Sequence, residues 1–174
     1  KDFAPGPARD VTAEKIWKGR KAEPALGPNL LVDAGFENNN VDGKWNWLGD
    51  AKRTLTTKQF HTGSSAVEIK ADKIYQVILV AGGAKYHAAC WVKTSGVSDN
   101  TVFVLYWYEG ERVVREDHLG TLTGTSDWRL LSKDVVAPLT ASKVQMVIGM
   151  KADVVAPEAV ARAWFDDLYL GAAK

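Results

Sequence analysis

Cysteine is almost absent from this chain of 174 residues, where Cys90 stands alone. A single thiol excludes an intrachain disulfide and any thiolate metal cluster. In "YHAACWVK" it falls on the apolar side of an alternating pattern, as a buried and inert thiol does. Charge of one sign is also lacking: 22 Lys and Arg face 21 Asp and Glu, leaving a formal net charge of +1. That balance gives no electrostatic case for a nucleic-acid partner or an anionic membrane. No apolar run approaches the roughly 20 residues that a membrane-spanning helix needs. No stretch reads as a signal peptide, an absence that a mature or excised domain shares. The nucleophile elbow, the phosphate-binding glycine loop and the His-rich metal motif are missing too. His61, His87 and His118 fall in separate elements.

Helical periodicity is scarce as well. Residues 1–28 hold four of the six prolines, with one short stretch, "DVTAEKIWKGR", that suits a helix carrying Ile16 and Trp17. This segment reads as a linker or N-terminal extension, and residues 29–174 as the globular domain. From Asn29 the apolar period is two rather than 3.6. "NLLVD" is followed by a polar loop carrying Trp45 and Trp47. Then come "RTLTTKQF", "SAVEIK", "IYQVILV", "KYHAACWVKT", "TVFVLYWYEG", "ERVVREDHL", "DWRLLSKDVVAP", "KVQMVIGMK" and "RAWFDDLYLG", with Gly, Asn, Asp or Ser between most of them. About ten short strands with no amphipathic helix between them predict an all-β fold, an antiparallel β-sandwich or barrel.

Aromatic residues are plentiful: seven Trp, five Tyr and five Phe. Alternation sorts them. Tyr86, Ala88, Cys90 and Val92 form one set, with Phe103, Leu105, Trp107, Val144, Met146 and Ile148, and suit a sandwich interior. The opposite sets hold His87, Trp91, Tyr106, Tyr108 and Gln145, which are expected together on one outer sheet face. A pyranose offers a C–H face to an aromatic ring and hydroxyls to the amides around it, so such a face suits a sugar. Trp45 and Trp47 are expected to wall one end of it, whereas Trp128 reads as a core anchor.

Two carboxylates sit where burial is expected. Asp166 belongs to a strand it shares with Trp164 and Leu168 and is read as pointing the same way, and Glu37 follows the anchoring Phe36. Desolvating a carboxylate costs several kcal/mol unless something compensates it. If the first and last strands are neighbours, Glu37 and Asp166 meet. Two carboxylates with backbone carbonyls make a hard oxygen cage of the kind calcium takes. An Arg partner such as Arg162, or exposure at a strand end, remains open on spacing alone.

The ordered set "NLLVDAGFE", "HTGSSAVEI", "YHAACWVK", "SDWRLLSKDVVAP" and "WFDDLYL" resembles the calcium-containing β-sandwich (jelly-roll) carbohydrate-binding modules appended to xylanases, cellulases and mannanases. The resemblance runs from Asn29 to Leu170. It implies a structural Ca2+ away from the sugar, held by the Gly35 carbonyl, the Glu37 carboxylate, a carbonyl near Thr62, and Asp166. Asp167 is expected to face the other side.

The reading is therefore a non-catalytic module for polysaccharide or oligosaccharide, monomeric, secreted or at a bacterial cell surface, and fused in its parent to a catalytic domain. It expects no nucleic acid and no membrane. An adhesion or assembly module for a protein partner is the alternative from another class. A β-sandwich lyase or hydrolase is the third. A glycosidase needs two carboxylates roughly 5–5.5 or 6.5–9.5 Å apart across a cleft. Glu109, Glu111, Glu116 and Asp117 instead cluster about one hairpin, where a solvated turn accounts for them.

Overall fold

The computed structural model describes residues 26–38, 46–49, 51–151 and 161–173. The short helix expected around Ile16 and Trp17, and the side chain of Trp45, lie outside them. Among the described residues there are nine strands and no helix: β1 (Lys52–Thr56), β2 (Ala66–Ala71), β3 (Lys73–Leu79), β4 (Lys85–Val97), β5 (Thr101–Glu109), β6 (Arg112–His118), β7 (Gly124–Val136), β8 (Lys143–Met150) and β9 (Arg162–Ala172). They form two antiparallel sheets, one ordered β1-β2-β9-β4-β7 and the other β3-β8-β5-β6. The all-β sandwich expected from the period-two pattern is the fold observed.

The inward faces follow the alternation. Ala88, Cys90 and Val92 of β4, Phe103, Leu105 and Trp107 of β5, and Val144, Met146 and Ile148 of β8 are all fully buried. They pack with Val67 and Ile69 of β2, Ile74 of β3, and Phe165 and Leu170 of β9 in one core. Burial at about 25 cal/mol per Å² of apolar surface is what holds the two sheets face to face. Cys90 is a free, buried thiol whose pKa burial pushes well up, as its apolar position implied.

"NLLVD" differs from expectation. It runs beside β9 as bends rather than as a strand. Its polar atoms are met by side chains instead of a ladder. The Asn29 amide donates to the Leu168 carbonyl and accepts from the Leu170 N–H, at 2.8 and 3.1 Å. The buried Gln76 amide accepts from the Val32 N–H and donates to its carbonyl, at 3.1 and 2.6 Å. Buried backbone groups need such partners. Contact with β9 also starts before Asn29: Leu26 bridges Ala173, and the Gly27 N–H donates to the Ala172 carbonyl.

The connection at 98–100 matters most for function. It carries the chain from β4 in one sheet to β5 in the other, so outward residues of these two strands lie on opposite sides of the molecule.

Candidate functional site

The outer face of the four-stranded sheet is a grid fixed by its register. Across it run Val77, Gln145, Tyr106 and Glu116; beside that row run Tyr75, Val147, Val104 and His118. Tyr108 lies opposite Lys143, which lies opposite Leu79. Val102, Val104 and Val147 form a small apolar cluster of their own, with Tyr75 and Tyr106 packed on it. The grid is open: Val77 is 51% and Leu79 81% exposed, while Tyr75, Tyr106, Tyr108 and Gln145 are half-buried.

Polar groups surround the rings. The Tyr108 hydroxyl donates to Gln145 Oε1 at 2.7 Å. Lys143 Nζ lies 5.3 Å from the centre of the Tyr108 ring and 2.7 Å from Glu111. Desolvation raises the Tyr106 hydroxyl pKa, with the Glu116 charge adding to it. Flat apolar rings with an amide, a carboxylate and an ammonium around them suit a ligand that is apolar on its faces and hydroxylated at its edges. Tyr106, Tyr108 and Gln145 are thus brought together as expected. Tyr75, Val77, Glu116 and Lys143 join them through cross-strand registers that no single strand's pattern reveals.

Trp91 and His87 are not on this face. Both are on β4, in the five-stranded sheet, so the single aromatic face expected from alternation divides into two. Trp91 faces outward, but its ring is covered: the imidazole of His61 stacks on it with centroids 3.8 Å apart. His87 Nδ1 pairs with Asp134 at 2.6 Å. Trp47 is also corrected. It is 1% exposed, packs on Phe36 with ring centroids 5.6 Å apart, and donates its indole N–H to the Asp33 carbonyl. A ring with no free face cannot wall a groove. Trp128, expected in the core, is half-buried with its ring against the edge of His61 at 5.8 Å.

The acidic pair sits on this second face. β9 places two residues, Asp167 and Leu168, opposite Cys90, because Asp167 takes a left-handed φ of 47°. That bulge separates Leu168, which turns into the core, from Asp166, which stays level with Trp91. Asp166 is fully buried all the same. Its Oδ2 accepts the N–H groups of His61 and Thr62, at 2.7 and 3.2 Å, and Oδ1 accepts that of Asp167 at 2.7 Å. Burial pushes its pKa up to about 6, helped by the Asp167 charge and opposed by those N–H groups. Asp167 does not face away as expected. Its carboxylate takes His61 Nδ1 and the Thr62 hydroxyl, each at 2.7 Å.

Glu37 arrives from the other side on a strained turn in which Phe36 has φ 56°. It accepts from the Ser64 N–H and hydroxyl and the Ser65 N–H at 2.6–3.2 Å. The Ser64 hydroxyl chiefly holds its pKa below the usual carboxylate range. Gly35 lies between the two acids: a Cβ there would be 3.7 Å from Glu37 Cγ and 3.8 Å from Asp166 Oδ1. Gly35, Glu37, Thr62 and Asp166 are thus gathered around one loop. Among the described residues no three His, Cys, Asp or Glu side chains are spaced to hold a metal, so carbonyls would have to complete any cage.

Three of the four hairpin acids are paired with Arg or Lys. Glu109 pairs with Arg112, Glu111 with Lys143, Asp117 with Arg115, and Glu116 lies 3.7 Å from His118.

No protein-family model matches the sequence, and no curated protein matches it. Solved structures share the fold. The enzymatically active domain of bacteriophage CBA120 tailspike protein 4 is 12% identical over 83% of this chain, with a TM-score of 0.64. The chain spans only 21% of that protein. A family 16 carbohydrate-binding module is 17% identical over 82% of this chain and 99% of its own, at 0.65. The Clostridium thermocellum xylanase 10B structure, a family 22 module with its catalytic module complexed with xylohexaose, is 16% identical over 88% of this chain and 29% of its own, at 0.57.

Proposed function

We propose that this chain is a non-catalytic carbohydrate-binding module that holds a glycan chain on the outer face of its four-stranded sheet. The carrying observation is the grid of Tyr75, Tyr106, Tyr108 and Gln145, half-buried side chains whose registers set aromatic rings and hydrogen-bonding groups side by side on one outer face. An open sheet face accommodates internal stretches of a chain rather than an enclosed small molecule. The neighbours named as carbohydrate-binding modules, one of them solved with xylohexaose beside a catalytic module, support this reading. The module would then tether an appended glycan-degrading enzyme, secreted or at the cell surface, and raise its effective concentration on substrate.

A screen against soluble plant, algal and fungal polysaccharides by affinity electrophoresis tests the proposal. Retardation by at least one glycan, lost in Tyr106→Ala, supports it. Reducing-sugar release would make the chain an enzyme. The exposed Leu79 and Val77 favour a protein partner as the second reading, and failure across all glycans would turn attention to it.

We also infer that the Glu37–Asp166 loop site takes a structural calcium ion. The donors are all oxygen, and Asp166 is a buried carboxylate whose described partners are backbone N–H groups rather than a cation. Glu37, Asp166 and the carbonyls of Gly35 and Thr62 would hold the ion. Its charge would tie the 61–65 loop to β9.

A further inference from the structure

The face that carries Tyr75, Tyr106 and Tyr108, the tyrosine face, differs between its two flanks. Its rows cross the sheet in the order β3, β8, β5, β6: Val77, Gln145, Tyr106 and Glu116 stand in one, and Leu79, Lys143 and Tyr108 in the next. On the β6 flank the rows of Tyr106 and Val104 end on Glu116 and His118. On the β3 flank the outermost side chains are aliphatic and in water, with Val77 51% and Leu79 81% exposed. Leu48 continues this flank, 53% exposed, because it pairs with Tyr75 across the far edge of β3. Exposed aliphatic residues scattered singly need no explanation. Three along one edge of a ligand face point to an apolar group on the ligand.

We propose that the tyrosine face selects an acetylated sugar, with the acetyl carbonyl on the Gln145 amide and the methyl group on Val77 and Leu79. The proposal rests on the reading of this face as a glycan site and names the substituent it recognises.

Donors and aliphatic groups sit in the order that an acetyl group needs. Gln145 Oε1 is taken by the Tyr108 hydroxyl at 2.7 Å. What it keeps for a ligand is Nε2, with two N–H donors and no acceptor. Lys143 Nζ, 2.7 Å from Glu111, adds further N–H donors in the next row. Donors alone suit a carbonyl oxygen, which only accepts. Neighbouring strands lie about 4.8 Å apart. A pyranose stacked on Tyr106 therefore extends its edge over Gln145, and a substituent on that edge reaches Val77 one strand further on. An acetyl group presents its carbonyl first and its methyl beyond. A bare edge would instead set hydroxyls against Val77 and Leu79, side chains that cannot bond them. The opposite edge of the same sugar meets Glu116, an acceptor for free hydroxyls, so the selection acts on one edge only. Glycans carry this group either as an ester on a neutral backbone or as the acetamide of a hexosamine.

Titration calorimetry on the whole chain tests the proposal with two matched pairs of probes. One pair is acetylated glucomannan before and after mild alkali, which removes the esters and leaves the backbone. The other is tetra-N-acetylchitotetraose against cellotetraose, two tetrasaccharides that differ in their acetamido groups. The acetylated member of at least one pair should bind about fivefold tighter or more, since a methylene in an enclosed pocket is worth roughly tenfold or more and this flank is open. The pair that shows the preference identifies ester or acetamide as the source. Val77→Ser and Leu79→Ser, at exposed positions of β3, should each bring the ratio of affinities within that pair down towards one. Gln145→Glu keeps an acceptor for the Tyr108 hydroxyl and loses the Nε2 donors, so it should do the same. Equal affinity within both pairs would overturn the acetyl assignment and spare the proposed function. A preference indifferent to all three substitutions would remove it from this flank. Binding of none of the four probes would also overturn it, and the proposed function falls with it only if the wider polysaccharide screen fails as well.

Discussion

The imidazole of His61 lies on the indole of Trp91, 15° from parallel, and the same imidazole is held by Asp167. Trp91 is therefore a seat for the 61–65 loop rather than a free platform. Aromatic pairs contribute about 0.5–1.5 kcal/mol beyond burial. Trp91→Ala should cost roughly 1–3 kcal/mol of stability in denaturant unfolding, once the half-buried indole is included. Affinity for tetrasaccharides at the tyrosine face should hold. A tenfold loss of that affinity with unchanged stability would return the sugar to Trp91.

Why the sequence misplaces Trp91 is instructive. Alternation identifies which side of its own strand a residue occupies, and the inward sets of β4, β5 and β8 are read correctly. It carries no information on which sheet a strand joins. A turn at 98–100 that looks like any hairpin carries the chain between sheets, so Trp91 and Tyr106 separate. Local signals fail likewise at Asp167, whose left-handed φ shifts the register and brings both acids to one loop. The Gly-Phe-Glu turn and the acidic pair stand out in the sequence because each is a carboxylate out of pattern, and both accept hydrogen bonds from the 61–65 loop. Tyr75 joins the site through its register with Val147, which one strand alone does not reveal.

Trp47 separates core from ligand contact in a second way. Its ring is enclosed and packed on Phe36, so Trp47→Ala leaves a cavity. A loss of about 3–5 kcal/mol is expected, as for other buried aromatics. Glycan affinity of the folded fraction should be unchanged. Calorimetric melting and binding measured on the same sample check it, and a stable variant with weakened binding would restore Trp47 to the groove wall.

Calcium removal should lower the melting temperature, because an ion bound only by the folded state stabilises it. Acid should shrink that effect. The Asp166 carboxyl titrates at about 6 in the fold against roughly 3.9 in an unfolded chain. Between these values the metal-free fold holds the extra proton, so the contribution of Asp166 to stability falls as pH rises through about 4 to 6. Calcium must displace that proton below about 6. The shift in melting temperature on adding calcium should therefore be larger at pH 7.5 than at pH 5. Gly63→Ala should abolish it at both: φ is +67° there, and a Cβ would lie 2.1 Å from Glu37 Oε1. Equal melting curves in calcium and chelator at pH 7.5 would remove the ion.

The tyrosine face carries the functional claim, and Tyr106 is its centre. It lies between Gln145 and Glu116 in one row and packs on the Val104–Val147 cluster, so a sugar ring stacked on it would be flanked by hydrogen-bonding groups on both sides. Truncating a central aromatic anchor typically costs about 2 kcal/mol or more of binding. Since 1.4 kcal/mol is about tenfold, Tyr106→Ala should weaken tetrasaccharide binding at least tenfold by titration calorimetry. Tyr106→Phe keeps the ring and loses only the hydroxyl, so it should retain most of the affinity. Stability should fall little in either, because the ring is half-exposed and leaves no enclosed cavity. Full affinity in a folded Tyr106→Ala protein would move the glycan off this sheet.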